Sequence, residues 1–276
     1  MSVLQRLLRS PEGAIGLAIL CLLAATAMSA GAFFPRDPLS IVGPALVPPF
    51  SDMAFPLGTD RLGRDVLAEL VHGSRASLMV GIAAAAVALV VGALVGTLAG
   101  FAGGLIDEAL MRIVDAFQVV PAFLLALAFV SVAGASLPVV VLAIALGAWT
   151  APARLARAEV LSIREHDYVA AARVIGMRPL EIALREVLPN ALAPVLALSS
   201  VIVASSVLIE AALSFLGLSD PNIVTWGSMI AEGRNVLRSA PFLSIVPGIA
   251  LMLTVLGVYL FSEGLGQALA GRKART

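Results

Sequence analysis

The sequence predicts an all-α integral membrane protein with six transmembrane helices and a folded loop between the fourth and fifth. Three observations predict it. The 276 residues are 60% apolar and 13% charged, against roughly 45–50% and about 25% in soluble domains. Mean hydropathy is +1.01, an aliphatic surplus that a soluble chain of this length could not cover with polar surface. The apolar residues also fall in runs close to the ~20 residues needed to cross a bilayer.

Those runs are residues 13–34, 77–101, 119–133, 137–151, 191–216 and 241–261. The third and fourth are short and are expected to borrow length from their flanks, 115–118 and 152–156. The Ala133-Gly134-Ala135-Ser136-Leu137-Pro138 stretch between them reads as a tight helical hairpin, with one long re-entrant element as the alternative. Ala25-Thr26-Ala27 resembles a signal-peptidase site, but the run continues to Phe34, which favours a retained span. With the N-terminus inside, the inner segments hold 12 of the 18 Lys and Arg residues and the outer segments 6. By the positive-inside rule both termini are then cytoplasmic.

Three segments between spans carry pattern. In the first, Thr59 or Asp60 is placed to cap a helix. Leu62, Val66, Leu67, Leu70 and Val71 follow at helical spacing, with Arg61, Arg64, Asp65 and Glu69 opposite. This predicts a short amphipathic helix at the membrane surface, carrying an Asp60–Arg64 pair. The second, 154–190, predicts two short helices at an angle outside the bilayer. Gly176 ends the first, Pro179 opens the second, and Pro189 closes it. Ala172 and Gly176 lie four apart on one face, and six arginines surround them. A loop so built has little use inside the chain; its use is docking a cytoplasmic protein. In the third, 217–240, Trp226 reads as an interfacial belt aromatic or as part of a surface for an external partner.

The chemistry of an enzyme or a motor is missing. There is no phosphate loop, and Lys273 is the one lysine. His72 and His166 fall on opposite sides of the membrane, so no metal site and no catalytic set is expected. Cys21 reads as a small buried hydrophobe. A zero net charge gives no footprint for nucleic acid. Glu210 is the clear intramembrane acid, a functional candidate by default, with a bond to backbone or to a partner as the structural alternative. Gly92, Gly96 and Gly100 repeat every fourth residue, a close helix-packing face. A transporter without an ATP site must borrow its energy. A carrier driven by a proton or sodium gradient, and a membrane scaffold, are the competing classes; scarce intramembrane acids weigh against the first.

The 154–190 loop resembles the coupling loop of ABC-importer permeases, E-A-A-x-x-x-G followed by I-x-L-P. Ala171, Ala172, Gly176, Leu188 and Pro189 fall on that pattern. Ala170 stands where Glu is usual and Glu186 where Ile is usual. Glu165, Asp167 and Glu186 are the nearby carboxylates. The stretch with Gly58, Thr59, Asp60, Gly63, Arg64 and Asp65 resembles the L-G-T-D-x-x-G-R-D element of dipeptide/oligopeptide/nickel permeases of the C-subunit type. Residues 210–218, with Trp226-Gly227 after them, match that family as well.

The resemblance implies the type I ABC importer permease fold in a bacterial inner membrane. It divides the chain into a cytoplasmic N-terminus (1–12), a first span (13–34), an outer segment (35–76), a permease core (77–266) and a cytoplasmic tail (267–276). It implies half of a translocation pathway, paired with a homologous B-type subunit and embedded in lipid. Two cytoplasmic ATPases would carry ATP and magnesium, and a solute-binding protein would deliver cargo. Residues 167–179, Asp167, Tyr168 and Ala170 among them, would form the coupling helix seated in an ATPase groove. Peptides are the expected cargo, with nickel or glutathione-like compounds as alternatives; no His lies in a span to carry nickel.

Overall fold

The structure, a computed structural model, describes residues 5 and 7–273. Residues 1–4, 6 and 274–276, parts of the two expected tails, lie outside the described residues. All regular structure among the described residues is helical, apart from one isolated bridge between Thr59 and Asp65.

Three helices are single spans by length and composition: α1 (Pro11–Phe33), α2 (Val66–Ala102) and α12 (Phe242–Lys273). Ser10 caps α1 by accepting from the Gly13 amide. Three bent pairs of helices pass the same test together, which gives up to six spans if each pair is one span. They are α3 (Gly104–Val119) with α4 (Ala122–Ala133), α5 (Leu137–Ala148) with α6 (Thr150–Ile163), and α8–α9 with α10 (Ser199–Phe215). Here α8 is Pro179–Ile182 and α9 is Leu188–Ala197, with a π-helical turn at Ala183–Val187 between them. Two short helices complete the set, α7 (Asp167–Val174) and α11 (Trp226–Gly233).

Several expectations change. The short third span reaches membrane length only together with its flank, and across a sharp break. Pro121 has no N–H to continue the ladder, so α3 meets α4 at 85° as a separate amphipathic helix. The fourth span does extend into its flank, through a 45° bend into α6. The hairpin turn between α4 and α5 forms at Gly134, whose φ is +88°. Pro189 does not close the second loop helix. The π turn Ala183–Val187 absorbs its missing N–H, and the helix runs on to Ala197.

The chain forms two compact units. One comprises Met1–Ile82, Ala133–Val140 and Val203–Thr276. Here α1 packs along α12, closely enough that a Cβ on Gly16 would collide with the Phe261 backbone. Its core gathers Val66, Val207, Ala211, Trp226, Met229 and Leu243. The other unit comprises Ala83–Val132 and Val141–Ile202. Its cores join Val160, Ile163, Val169 and Ile182, and, further along, Ala93, Ala156 and Val195. Both units leave many large apolar side chains exposed, among them Leu22, Val90, Leu98 and Met252. Water would not tolerate such a surface, and lipid requires it. Cys21 is among the exposed side chains of α1, not buried.

Candidate functional site

The 154–190 loop is built around α7. Its helix ends in a Schellman motif: the Gly176 amide donates to Arg173 O and the Met177 amide to Ala172 O, both at 3.1 Å. Gly176 takes φ +84°, which L side chains adopt only under strain. Val169 and Ala172 point inward onto Val160, Ile163 and Ile182. Asp167, Tyr168, Ala170, Ala171, Arg173, Val174, Ile175 and Gly176 face out.

This corrects the expected face. Ala172 is buried inside the chain and shares no open face with Gly176. A Cβ at Gly176 would meet nothing within 4 Å, so its own chain does not demand a glycine for space. Val174 and Ile175 are 87% and 77% exposed, an apolar tip at the end of the helix.

The basic surround is largely neutralised from within. Arg157 grips Asp107 bidentately, Arg154 pairs with Asp115, and Arg185 with Glu181. Arg164 donates to the Gly100 carbonyl at 2.9 Å. Arg173 and Arg178, flanking the tip, have no acidic partner among the described residues. Tyr168 stacks at a tilt on His166 and accepts from Asn190 Nδ2 at 3.2 Å, tying α7 to α9. Leu188 is half-buried and Pro189 exposed.

The outer element folds as a loop, not as the expected helix. Gly58 and Gly63 adopt φ +80° and +81°, which a right-handed helix excludes. Asp60 Oδ1 accepts the Leu62 amide at 2.8 Å and the Arg64 amide at 2.7 Å. Thr59, fully buried, accepts from the Val47 amide and donates to Pro44 O. Only at Val66 does α2 begin, with Asp65 Oδ1 accepting from the Leu67 amide.

The Asp60–Arg64 pair forms within that loop, and it is larger than predicted. Arg64 Nη1 lies 3.6 Å from Glu69 Oε1 and 3.6 Å from Glu232 Oε1, and Nε lies 3.8 Å from Asp60 Oδ2. The three carboxylates come within 4.8 Å of one another. The guanidinium stands where a cation would be held, so the group reads as an arginine-centred clamp. Glu69 shares the polar face predicted for Arg64 without being predicted as its partner, and Glu232 lies far away in the sequence.

Glu210 sits in α10 and is 1% exposed. It accepts from Ser214 Oγ at 2.7 Å. Trp226 is 1% exposed and belongs to the core, not to an interfacial belt. Its indole N–H is satisfied by Leu70 O at 3.0 Å, so the ring needs no interfacial water.

Residues 89–274 match the family described as binding-protein-dependent transport system inner membrane component. The chain belongs to that family. The permease is 37% identical over 265 residues to the di/tripeptide transport system permease protein DppC of Pseudomonas aeruginosa, covering 94% of this chain and 88% of that one. It is 37% identical over 214 residues to the glutathione transport system permease protein GsiD of Pectobacterium atrosepticum, covering 77% and 71%. In fold it is similar to the inward-facing MetNI methionine ABC transporter (TM-score 0.58, 19% identity, 72% of this chain and 96% of that one). The permease therefore has the type I ABC importer fold, and its relatives are transporter subunits.

The glycine face of the permease lies against α6. A Cβ on Gly92 would stand 2.6 Å from Trp149 O, one on Gly96 would collide with Ala153 O, and one on Gly100 would stand 2.9 Å from Arg157 O. The expected packing role is what these contacts show.

Proposed function

We propose that this permease is one half of an ATP-driven importer of di- and oligopeptides. It pairs with a homologous B-type subunit in a bacterial inner membrane. Two cytoplasmic ATPases supply ATP and magnesium chemistry, and an outer solute-binding protein supplies cargo. Both termini and α7 lie on the cytoplasmic side, and this chain performs no catalysis itself.

The observation that carries the reading is the α7 tip. Its inner side is packed by Val169 and Ala172, while Val174, Ile175 and the unpaired Arg173 and Arg178 project outward. An apolar knob ringed by free cations fits a groove with an acidic rim on an ATPase. Nucleotide-driven closure of the ATPases then moves α7 as a rigid body, because ATP binds one state better than the other.

Peptide cargo is supported by the relative named for di- and tripeptide transport, which matches over more of the chain than the relative named for glutathione. Nickel is disfavoured by the histidines. His72 bonds Phe34 O, and His166 the Ser162 and Ile163 carbonyls.

The test is Gly176→Asp beside Gly176→Asn in the complete transporter in vesicles. Both residues tolerate left-handed φ better than other side chains, so their difference isolates the charge. Gly176→Asp should cut uptake and cargo-stimulated ATP hydrolysis at least tenfold, since an acid is desolvated against an acidic rim. Gly176→Asn should retain more of both. Normal uptake by Gly176→Asp would overturn the docking, and ATP hydrolysis by the purified chain alone would overturn the division of labour.

A further inference from the structure

Helix α3 is a rod between two breaks in the chain. At its start, Gly103 and Gly104 take φ +67° and +55°, left-handed values that interrupt the right-handed run from α2. At its end, Pro121 sets α4 off at 85°. Its outward side carries Leu105, Ile106 and Ile113, all exposed. What holds α3 in place is therefore its contact with α6.

That contact runs in antiparallel order. Asp107 meets Arg157, Asp115 meets Arg154, and Phe117 meets Trp149 at the N-cap of α6. Val114, seven residues from Asp107 and so on the same side, is fully buried. The two ion pairs are unequal. Arg154 and Asp115 are each more than half exposed, and such a pair contributes little. Asp107 is 14% exposed, and two parallel bonds reach it: Arg157 Nε donates to Oδ1 at 2.5 Å and Nη2 to Oδ2 at 2.7 Å. A forked pair of this kind fixes orientation as well as distance.

The C-terminal end of α6 carries α7. Val160 and Ile163 share a core with Val169, and Arg164 donates to the Gly100 carbonyl near the end of α2. So α6 holds α3 along its first half and α7 at its last turn.

We infer that Asp107 and Arg157 are positioning residues for transport: their forked pair makes α3 part of the arm that α6 and α7 form, so that displacement of α7 reaches α4 through α3. The breaks at Gly103–Gly104 and Pro121 are the element-terminal positions at which such a rod turns. The inference rests on the importer reading for what moves α7, and not for the pairing itself.

The experiment is distance measurement between paired spin labels on the complete transporter in nanodiscs, otherwise free of cysteine. Peptide uptake and ATP hydrolysis are measured beside it in vesicles. Labels at Ala116→Cys and Ser162→Cys, both exposed, report α3 against α6. Labels at Ser162→Cys and Ser239→Cys report α6 against the other unit. With ATP trapped, the first distance should stay as it is without nucleotide, and the second should shift. Asp107→Arg sets two cations side by side. It should broaden the first distance and cut the peptide moved per ATP hydrolysed about tenfold, the scale of a lost charge-assisted hydrogen bond. Asp107→Arg with Arg157→Asp should recover most of both. A first distance that changes with ATP in the parent transporter overturns the inference, as does Asp107→Arg with unchanged peptide per ATP. Loss of uptake and hydrolysis in equal proportion overturns it too, since a merely structural pair would give that result. If Asp107→Arg does not accumulate, Asp107→Asn decides by the same ratio and the same distance. A second distance that ignores ATP defeats the importer reading and the transmission with it, whereas a first distance that moves defeats the α3–α6 pairing alone.

Discussion

Glu232 is the clamp residue closest to solvent, and its charge state follows from its neighbours. Burial raises its carboxyl above the usual value of 4.5; Arg64 opposes this, Asp60 adds to it, and Arg61 opposes it. Glu69 completes the surrounding set. A carboxyl raised by folding is protonated more readily in the native state. Its stabilising contribution is therefore full at acid pH and is lost as pH rises from about 4.5 through the folded value. Glu232→Gln removes that dependence. Thermal unfolding of the purified permease should give wild-type and variant curves that diverge as pH rises, with wild type the less stable by under ~1 kcal/mol, since the side chain is about half exposed. Parallel curves from pH 4.5 to 8 would refute it. The sequence displayed half of this clamp. Asp60 and Arg64 announced themselves by spacing. Glu69 was placed on the polar face of a surface helix, and Glu232 had no local signal at all. The loop form was in fact legible: Gly58 and Gly63 are the residues a left-handed backbone needs, yet apolar spacing from Leu62 onward outvoted them.

At the scale of elements, the contact of α2 with α6 shows what periodicity can and cannot predict. Every-fourth-residue glycines predicted a close face without saying which helix meets it. The partner is α6 with its N-cap Trp149: the backbone carbonyls of Trp149, Ala153 and Arg157 fill the space a Cβ would take. Gly96→Val therefore has nowhere to put its side chain without separating the two backbones. Overpacking of this kind costs about 1–3 kcal/mol or more, and the loss should appear as a lowered unfolding midpoint in detergent. Gly31→Val, where a Cβ meets nothing within 4 Å, is the matched control and should change little. The bent elements were harder to foresee. Pro121 and Pro189 each remove one N–H, but one ends a helix at 85° and the other is absorbed by a π turn. The choice depends on packing: Val187 and Ala183 are buried in the core and hold that helix on course.

For the whole molecule, the helical membrane class and the family were legible because both are written in long-range composition and in separated motifs. The division of contacts into two units was not, since each unit gathers segments from distant parts of the chain. Orientation tests the reading at this scale. The inner-side excess of 12 to 6 counts Lys and Arg whether or not they are paired, so the ion pairs of Arg154, Arg157 and Arg185 do not weaken it. Ser162 and Ser239 are both exposed, at the end of α6 and before α12. In a Cys21→Ser background, where no other thiol remains, Ser162→Cys and Ser239→Cys each present a single thiol. A membrane-impermeant maleimide added to intact cells, with the outer membrane opened where there is one, should label Ser239→Cys. Ser162→Cys should label only after the inner membrane is permeabilised. The reverse pattern would put α7 on the outer face, beyond the reach of any cytoplasmic ATPase. It would remove the proposed coupling role together with the orientation, because that role needs the exposed tip at Val174 and Ile175 on the side where nucleotide is spent.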